Sequence, residues 1–337
     1  MNSLLSCFFP TTVVLVDDSS MFLSGMLELL SKNKMSIEAF STPQEALDYI
    51  NGVAGDSRFN FENFTQLQPK RNEFGLRADS IDIRNLHKAV YTYNRFRHIS
   101  TVVADYSMPG MNGIELCSKI QDKNIQKVLL TGVADEKIAV DAFNEGYINR
   151  FIKKGTEGFE MDVMSGIEKS IYRHFKIYTD DITRRFLFDT QVYLQDPVFA
   201  NFFHNICFNQ KYVEYYMLDY SGSYLFLEES GRASMLSVAT EREIDSIIEI
   251  GLKMVGIASD VLDGLQSHDY MLVTQNGKIP PAIEWGRYLA PVRRLKGYQT
   301  YYFAMLDDSF IDIDVHSIRS FQAFQERSRL HKARLYA

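Results

Sequence analysis

The chain contains four apolar runs that each stop abruptly on a polar side chain. Thr12 to Val16 ends at Asp17-Asp18, Thr101 to Ala104 at Asp105, Val128 to Leu130 at Thr131, and Arg150 to Ile152 at Lys153-Lys154. Runs of aliphatic and β-branched residues without polar alternation read as strands buried on both faces, and such strands belong to parallel sheets covered by helices. A fifth short strand is expected at Ser36 to Phe40.

Helical segments fall between these strands. Ser19-Ser20 caps a helix running to about Leu30, with Met21, Phe22, Met26, Leu27 and Leu30 at helical spacing. Pro43 starts a helix through Ile50, as proline does at a first helical position. Further helices are predicted around Ile114 to Ile120 and Glu136 to Asn144. Strand and helix alternate five times, which predicts a doubly wound parallel sheet with helices on both faces.

In such sheets the ligand crevice lies outside the carboxyl ends of the strands. Asp17, Asp18, Asp105, Thr131 and a lysine at 153 or 154 all fall there. Three carboxylates repel one another, so the set calls for a hard divalent cation, and all-oxygen ligation suits Mg²⁺. Thr131 supplies a hydroxyl and the lysine a positive charge for an incoming phosphoryl group. On this reading Asp105 is a nucleophile placed beside metal and charge.

The segments Val13-Val-Leu-Val-Asp17-Asp18, Asp105-Tyr-Ser-Met-Pro109-Gly-Met-Asn-Gly113, Val128-Leu-Leu-Thr131-Gly132 and Phe151-Ile-Lys-Lys154 together resemble the receiver domains of bacterial two-component response regulators. The resemblance implies a five-stranded sheet in the order 2-1-3-4-5. It implies that Asp105 accepts phosphate from a sensor histidine kinase or phosphotransfer protein. Asp17, Asp18, Asp105 and the backbone carbonyl of Ser107 would hold Mg²⁺, and Thr131 and a lysine would bind the phosphoryl group. Lys154 is the favoured lysine, because that register makes Phe151 the switch aromatic, and Lys153 is the alternative. Where the family usually has proline after this lysine the chain has Gly155, so a trans peptide is expected there. Ser107 and Val133 occupy the positions flanking the hydrolytic water, and neither is an acid or amide that would orient it.

The receiver is expected over residues 11–157, with an insertion at about 52–99. A compact receiver needs only a few residues between Ile50 and Thr101, yet about fifty lie there. Ser80 to His98 carries Ile83, Leu86, Val90, Tyr93 and Phe96 as an apolar stripe, which predicts a helix packed onto its own receiver. Residues 158–190 read as an amphipathic linker helix or dimerisation element. Residues 191–337 read as an α+β output domain: a helix from Pro197, strands near 213–219, 224–227 and 233–238, a helix from Glu241, and strands at 270–274 and 300–306 complete an antiparallel sheet before a basic helix at 317–335.

The output region carries no phosphate-binding glycine loop, no His-Glu-x-x-His and no helix-turn-helix. His268-Asp269 lacks the partners of a metal phosphohydrolase. The stretch Val213-Glu-Tyr-Tyr-Met-Leu-Asp-Tyr-Ser-Gly-Ser-Tyr-Leu-Phe-Leu227 resembles the output region of response regulators from α-hydroxyketone quorum-sensing circuits, and the strand and helix order also resembles a Per-Arnt-Sim sensory fold. The leading expectation is phosphorylation-dependent homodimerisation or protein binding. The alternative is a phosphorylation-regulated enzyme, or an output domain that binds a nucleotide or another small ligand.

A net charge of −7 gives no reason to expect nucleic-acid binding. No run approaches the roughly 20 apolar residues of a membrane helix, so no membrane insertion is expected. The start, Met1 to Pro10, faintly resembles a lipoprotein signal, but it has no basic residue and too short an apolar stretch before Cys7, so none is expected. Three scattered cysteines, Cys7, Cys117 and Cys207, fit neither a disulfide framework nor a zinc site and agree with a cytoplasmic protein.

Overall fold

The structure is a computed structural model that describes all residues except 1–3, 32, 56–66, 72–76, 82, 133–135, 186–191, 219–221, 275–278, 312 and 336–337. The chain divides into two units, one of Phe9–Phe61 and Tyr93–Asp181, the other of Met1–Phe8, Glu62–Thr92 and Ile182–Ala337.

The first unit is the parallel sheet that the apolar runs predict. Its strands are β1 (Thr12–Val16), β2 (Ser36–Phe40), β3 (Ile99–Asp105), β4 (Gln126–Thr131) and β5 (Arg150–Lys153). They lie in the order β2-β1-β3-β4-β5, and every neighbouring pair is parallel. β1, β3 and β4 are buried along their whole length, which is why their sequences do not alternate.

Helices α1 (Ser20–Leu30), α2 (Pro43–Gly55), α3 (Gly113–Lys119), α4 (Glu136–Asn144) and α5 (Phe159–Arg185) accompany the sheet. The Ser19 hydroxyl accepts from Phe22 N at 3.3 Å and starts α1. Asn112 Oδ1 accepts from Glu115 N at 2.9 Å and starts α3. Ala46, Leu47 and Ile50 of α2 and Leu116 of α3 pack on Val14, Val16, Val102 and Ala104. Each such side chain contributes about 1.5–3 kcal/mol on burial. Truncating fully buried Ile50 to alanine would therefore cost about 2–5 kcal/mol.

The second unit is built on a six-stranded antiparallel sheet. In chain order its strands are Cys7–Phe8, β6 (Glu214–Met217), β7 (Tyr224–Leu227), β8 (Ala233–Thr240) and, further along, β11 (Arg293–Lys296) and β12 (Thr300–Leu306). Their spatial order is Cys7–Phe8, β6, β7, β8, β12, β11. Helix α6 (Pro197–Asn209) lays Phe203 against Tyr215, Tyr224 and Phe226, with ring centroids 4.7–5.1 Å apart. Such aromatic pairs add about 0.5–1.5 kcal/mol beyond their area. Helix α7 (Glu241–Lys253) starts on a complete capping box between Thr240 and Glu243, and α8 (Ser259–Gln266) and a terminal α9 (Phe321–Leu335) follow in sequence.

Three expectations are corrected. First, Ser80 to His98 is not one α-helix. Arg77–Ile81 is a strand paired with Leu67–Arg71, Ile83–Tyr91 is a 3₁₀ helix, and only Asn94–Arg97 is α-helical. Ser80 pairs with Gln68 and is not a helix cap. The buried residues Leu86 and Ala89, and His87 and Val90, are each three apart, the period of a 3₁₀ face.

Second, the segment is divided between the units: Tyr93–His98 belongs to the receiver, where Phe96 O accepts from Thr12 Oγ1 at 2.8 Å, but the residues before it do not. Glu62–Thr92 belongs to the second unit, where Val90 O accepts from Arg319 N and the Tyr91 hydroxyl accepts from Asp314 N, each at 2.9 Å. Third, the strand expected at 270–274 does not join the large sheet. β9 (Tyr270–Leu272) pairs with β10 (Leu289–Pro291) in a separate two-stranded sheet.

Candidate functional site

The carboxyl ends of β1, β3, β4 and β5 bring the sequence-predicted residues to one edge of the first unit. Asp17 is 1% exposed and Asp105 7%, so both carboxylates are nearly dry. Asp17 Oδ1 accepts from Ser19 N at 2.9 Å, and Asp105 Oδ2 accepts from Ser107 N at 3.0 Å. Each carboxylate is thus oriented by the backbone just beyond its own strand. Their other oxygens meet Lys154, whose Nζ stands 2.7 Å from Asp17 Oδ2 and 2.7 Å from Asp105 Oδ1.

The geometry separates the two lysines. β5 sets Lys153 opposite Thr131, and its Nζ reaches out to Glu136 at 3.4 Å, whereas Lys154 turns in to the carboxylates. Burial pulls the Lys154 ammonium down, but hydrogen bonds and charge from Asp105 and Asp17 outweigh it and hold it above the usual lysine range. No cis peptide occurs among the described residues, and Gly155 turns the chain after Lys154 at φ +75°. That left-handed conformation is one that glycine adopts without strain.

Thr131 is buried at the end of β4, while Asp18 is exposed beside Asp17. Phe151, opposite Leu129 on β5, is half-buried against Cys117, Leu129, Ala139, Ala142 and Ile148. Val133 lies outside the described residues.

As a test of metal fit, three carboxylates against one ammonium leave two negative charges, and all the donors are oxygens, so the chemistry suits a hard divalent cation. Among the described residues the carboxylates do not converge as a set of three: Asp17 and Asp105 meet at Lys154, and Asp18 is exposed.

Two neighbours escaped the sequence reading. Phe22 lies under Lys154, with Nζ 4.5 Å from its ring centroid, a cation–π contact that fixes the ammonium from the α1 side. Its only signal is its place in the first turn after Asp17-Asp18. Gly113 packs so closely behind Asp105 that a Cβ would press on the Asp105 carbonyl oxygen and come 2.7 Å from Leu129 Cδ1. In the second unit His268 contacts Asp245 at 3.2 Å, and the described residues contain no cluster of three metal ligands. The three cysteines are unpaired.

Residues 76–164 match the family model described as the response regulator receiver domain. The solved structure of the Legionella pneumophila response regulator LqsR is similar at 33% identity and TM-score 0.79, covering 96% of each chain. A signal receiver domain of an HD domain-containing protein from Pseudomonas fluorescens is 18% identical over 50% of this chain and 91% of its own, with TM-score 0.34. A receiver domain protein from Clostridium thermocellum is 17% identical over 50% and 98%, also with TM-score 0.34. No curated protein matches the chain.

Proposed function

Because this chain belongs to the two-component response regulators, we propose that it is switched by phosphorylation of Asp105. The observation that supports this most is the Lys154 ammonium shared between Asp105 and Asp17 at the strand ends. The donor is a phosphohistidine of a sensor histidine kinase or phosphotransfer protein. An Asp105 oxygen attacks phosphorus as the phosphorus–nitrogen bond breaks, and the imidazole leaves with the electron pair.

Receiver domains bind Mg²⁺, and here Asp17, Asp18, Asp105 and the Ser107 carbonyl would hold it. When bound it supplies positive charge to the phosphoryl oxygens. Thr131 donates its hydroxyl to one of those oxygens, and Lys154 transfers its ammonium from the Asp105 carboxylate to another. Lys154 thereby reports the state of Asp105 to β5, on which Phe151 fills the space that Thr131 leaves.

The output is association: a homodimer, or a complex with a protein partner. The face available for it carries Ile138, Val140, Phe143 and Tyr147, all more than a third exposed on and just after α4. Ala139 of the same helix is 1% exposed and belongs to the core. The likeness of Val213 to Leu227 to regulators of α-hydroxyketone circuits supports a place in quorum sensing. Among the described residues no helix is long and apolar enough to cross a membrane, in keeping with a cytoplasmic site of action.

Labelling with a small phosphodonor tests the proposal. The wild type should take up one Mg²⁺-dependent phosphoryl group and Asp105→Asn none. Undiminished labelling of that variant would sink the assignment. Asp18→Asn should need at least tenfold more Mg²⁺ for half-maximal labelling, and an unchanged titration would remove Asp18 from the metal site.

A further inference from the structure

The second unit holds a half-open cavity of about 260 Å³ between β8, α7, α8 and β9. An apolar cavity of about 150 Å³ accepts benzene, so this one has room for roughly ten non-hydrogen atoms. Most of its wall is aliphatic: Val238, Ile244, Ile247, Leu265, Met271 and Leu272. Four of these, Val238, Ile244, Leu265 and Met271, are no more than 3% exposed, so the wall is a preformed part of the core.

Ser237 and one oxygen of Glu243, both on the lining, are not spent among the described residues. Ser237 is 5% exposed, and its hydroxyl makes no hydrogen bond among the described residues. The hydroxyl is open to the cavity, so an occupant of the cavity can partner it. Glu243 uses Oε2 for its capping box, accepting from Thr240 N at 2.7 Å and Thr240 Oγ1 at 2.9 Å. Its Oε1 has no hydrogen-bond partner among the described residues.

The charge of the lining decides the class of occupant. Among the described residues no lysine or arginine lines the cavity, and the first turn of α7 presents a carboxylate in place of open backbone donors. A phosphate or carboxylate would face Glu243 with no cation among the described lining residues to offset the repulsion. A hydroxyl or amine would donate to Glu243, and a hydroxyl would also accept from Ser237.

From this we infer that the second unit binds a small molecule with an aliphatic body and a hydrogen-bond-donating, non-anionic head, seated between Ser237 and Glu243. This goes beyond phosphoryl signalling at Asp105 and does not depend on it.

Titration calorimetry on the full unphosphorylated chain with 1-octanol, octylamine and octanoate tests the inference. Octanol or octylamine should bind at one site and raise the melting temperature, the tighter of the two identifying the head as hydroxyl or amine. Octanoate should bind at least tenfold more weakly. Ser237→Leu, which fills the space, should reduce affinity at least tenfold. Ser237→Ala, which removes only the hydroxyl, should reduce it about fivefold and carries the test if the leucine variant does not fold. Failure of both octanol and octylamine to bind, octanoate binding as tightly as either, or unchanged affinity in Ser237→Ala would each overturn the inference.

Discussion

Lys154 Nζ lies 2.7 Å from Asp105 Oδ1, and the same nitrogen lies 2.7 Å from a carboxylate on a different strand, Asp17. Removing it leaves two buried charges without their shared counter-ion. Lys154→Met should lose about 2 kcal/mol in urea unfolding, less than a fully buried pair because the lysine side chain is 30% exposed. Mg²⁺ should return part of that stability. Lys153→Met, whose partner Glu136 is exposed, should change stability by under about 0.5 kcal/mol. The Lys154 contribution has a defined pH window. Because the folded state raises its pKa above 10.5, the contribution is complete below about pH 10 and fades as pH rises through the folded value. A Lys154→Met protein as stable as wild type in metal-free buffer would contradict this.

Gly113→Ala should disturb the acceptor strand more than an exposed helix substitution would. The added methyl meets the Asp105 backbone, which cannot swing aside as a side-chain tip can, and the fully buried Leu129 side chain. A loss of about 1–3 kcal/mol is expected from overpacking, with slower phosphoryl uptake as the Asp105 carbonyl shifts. Wild-type melting and labelling rates together would show that the helix can slide away at no cost.

Phosphorylated wild type should keep its phosphoryl group for minutes or longer. The resemblance to receiver domains assigns Ser107 and Val133 to the positions beside the hydrolytic water, and neither residue type orients a water as an acid or amide does. Ser107→Glu should shorten the half-life, measured by phosphate release after removal of the donor. Loss of phosphate from the wild type within seconds would disprove the role given to these positions.

His98 Nε2 and His174 Nε2 are 2.9 Å apart, and the Nδ1 of His174 is 2.9 Å from the carbonyl oxygen of Asn124. His174 Nδ1 must donate to that carbonyl, so in the neutral pair His174 Nε2 accepts and His98 Nε2 donates. Burial lowers both groups, His174 to about 4 and His98 well below its usual value, where His174 also opposes its charge. These folded values lie below the unfolded value of 6.5. Stability is therefore complete above about pH 6.5 and falls as pH drops towards 4, by on the order of 3 kcal/mol for His174 alone. Unfolding at several pH values should show this slope, and His174→Gln should flatten it. A slope unchanged in that variant would assign the acid sensitivity elsewhere.

Phosphorylation should raise association through the α4 face. Phe143 is 49% and Tyr147 42% exposed, and a symmetric pairing would bury both. Sedimentation should show a larger species for the phosphorylated wild type than for Asp105→Asn treated in the same way. Phe143→Asp should stay small while still accepting phosphate. Equal sedimentation of phosphorylated and unphosphorylated wild type would leave this face as ordinary surface.

The amino-acid sequence by itself determined the parallel sheet and the polar residues at its strand ends. Strands buried on both faces must be apolar throughout, and a polar residue that closes such a run marks the place where the strand meets solvent. Those are local properties of Thr12 to Asp18 and Thr101 to Asp105. The tertiary structure set Lys154, not Lys153, against Asp105 and Asp17: Lys153 ends β5 opposite Thr131 and reaches out to Glu136, and the residue after it turns in to the carboxylates. It also decided where Leu86 and Val90 are buried. Their apolar stripe shows that a face must be covered, but the covering unit is set by hydrogen bonds to Asp314 and Arg319, more than two hundred residues along the chain. The partner of β9 and the close approach of Gly113 to Leu129 are non-local in the same sense. Periodicity fixes the face of an element that turns inward, whereas the choice of its neighbour depends on contacts made only after the chain has folded.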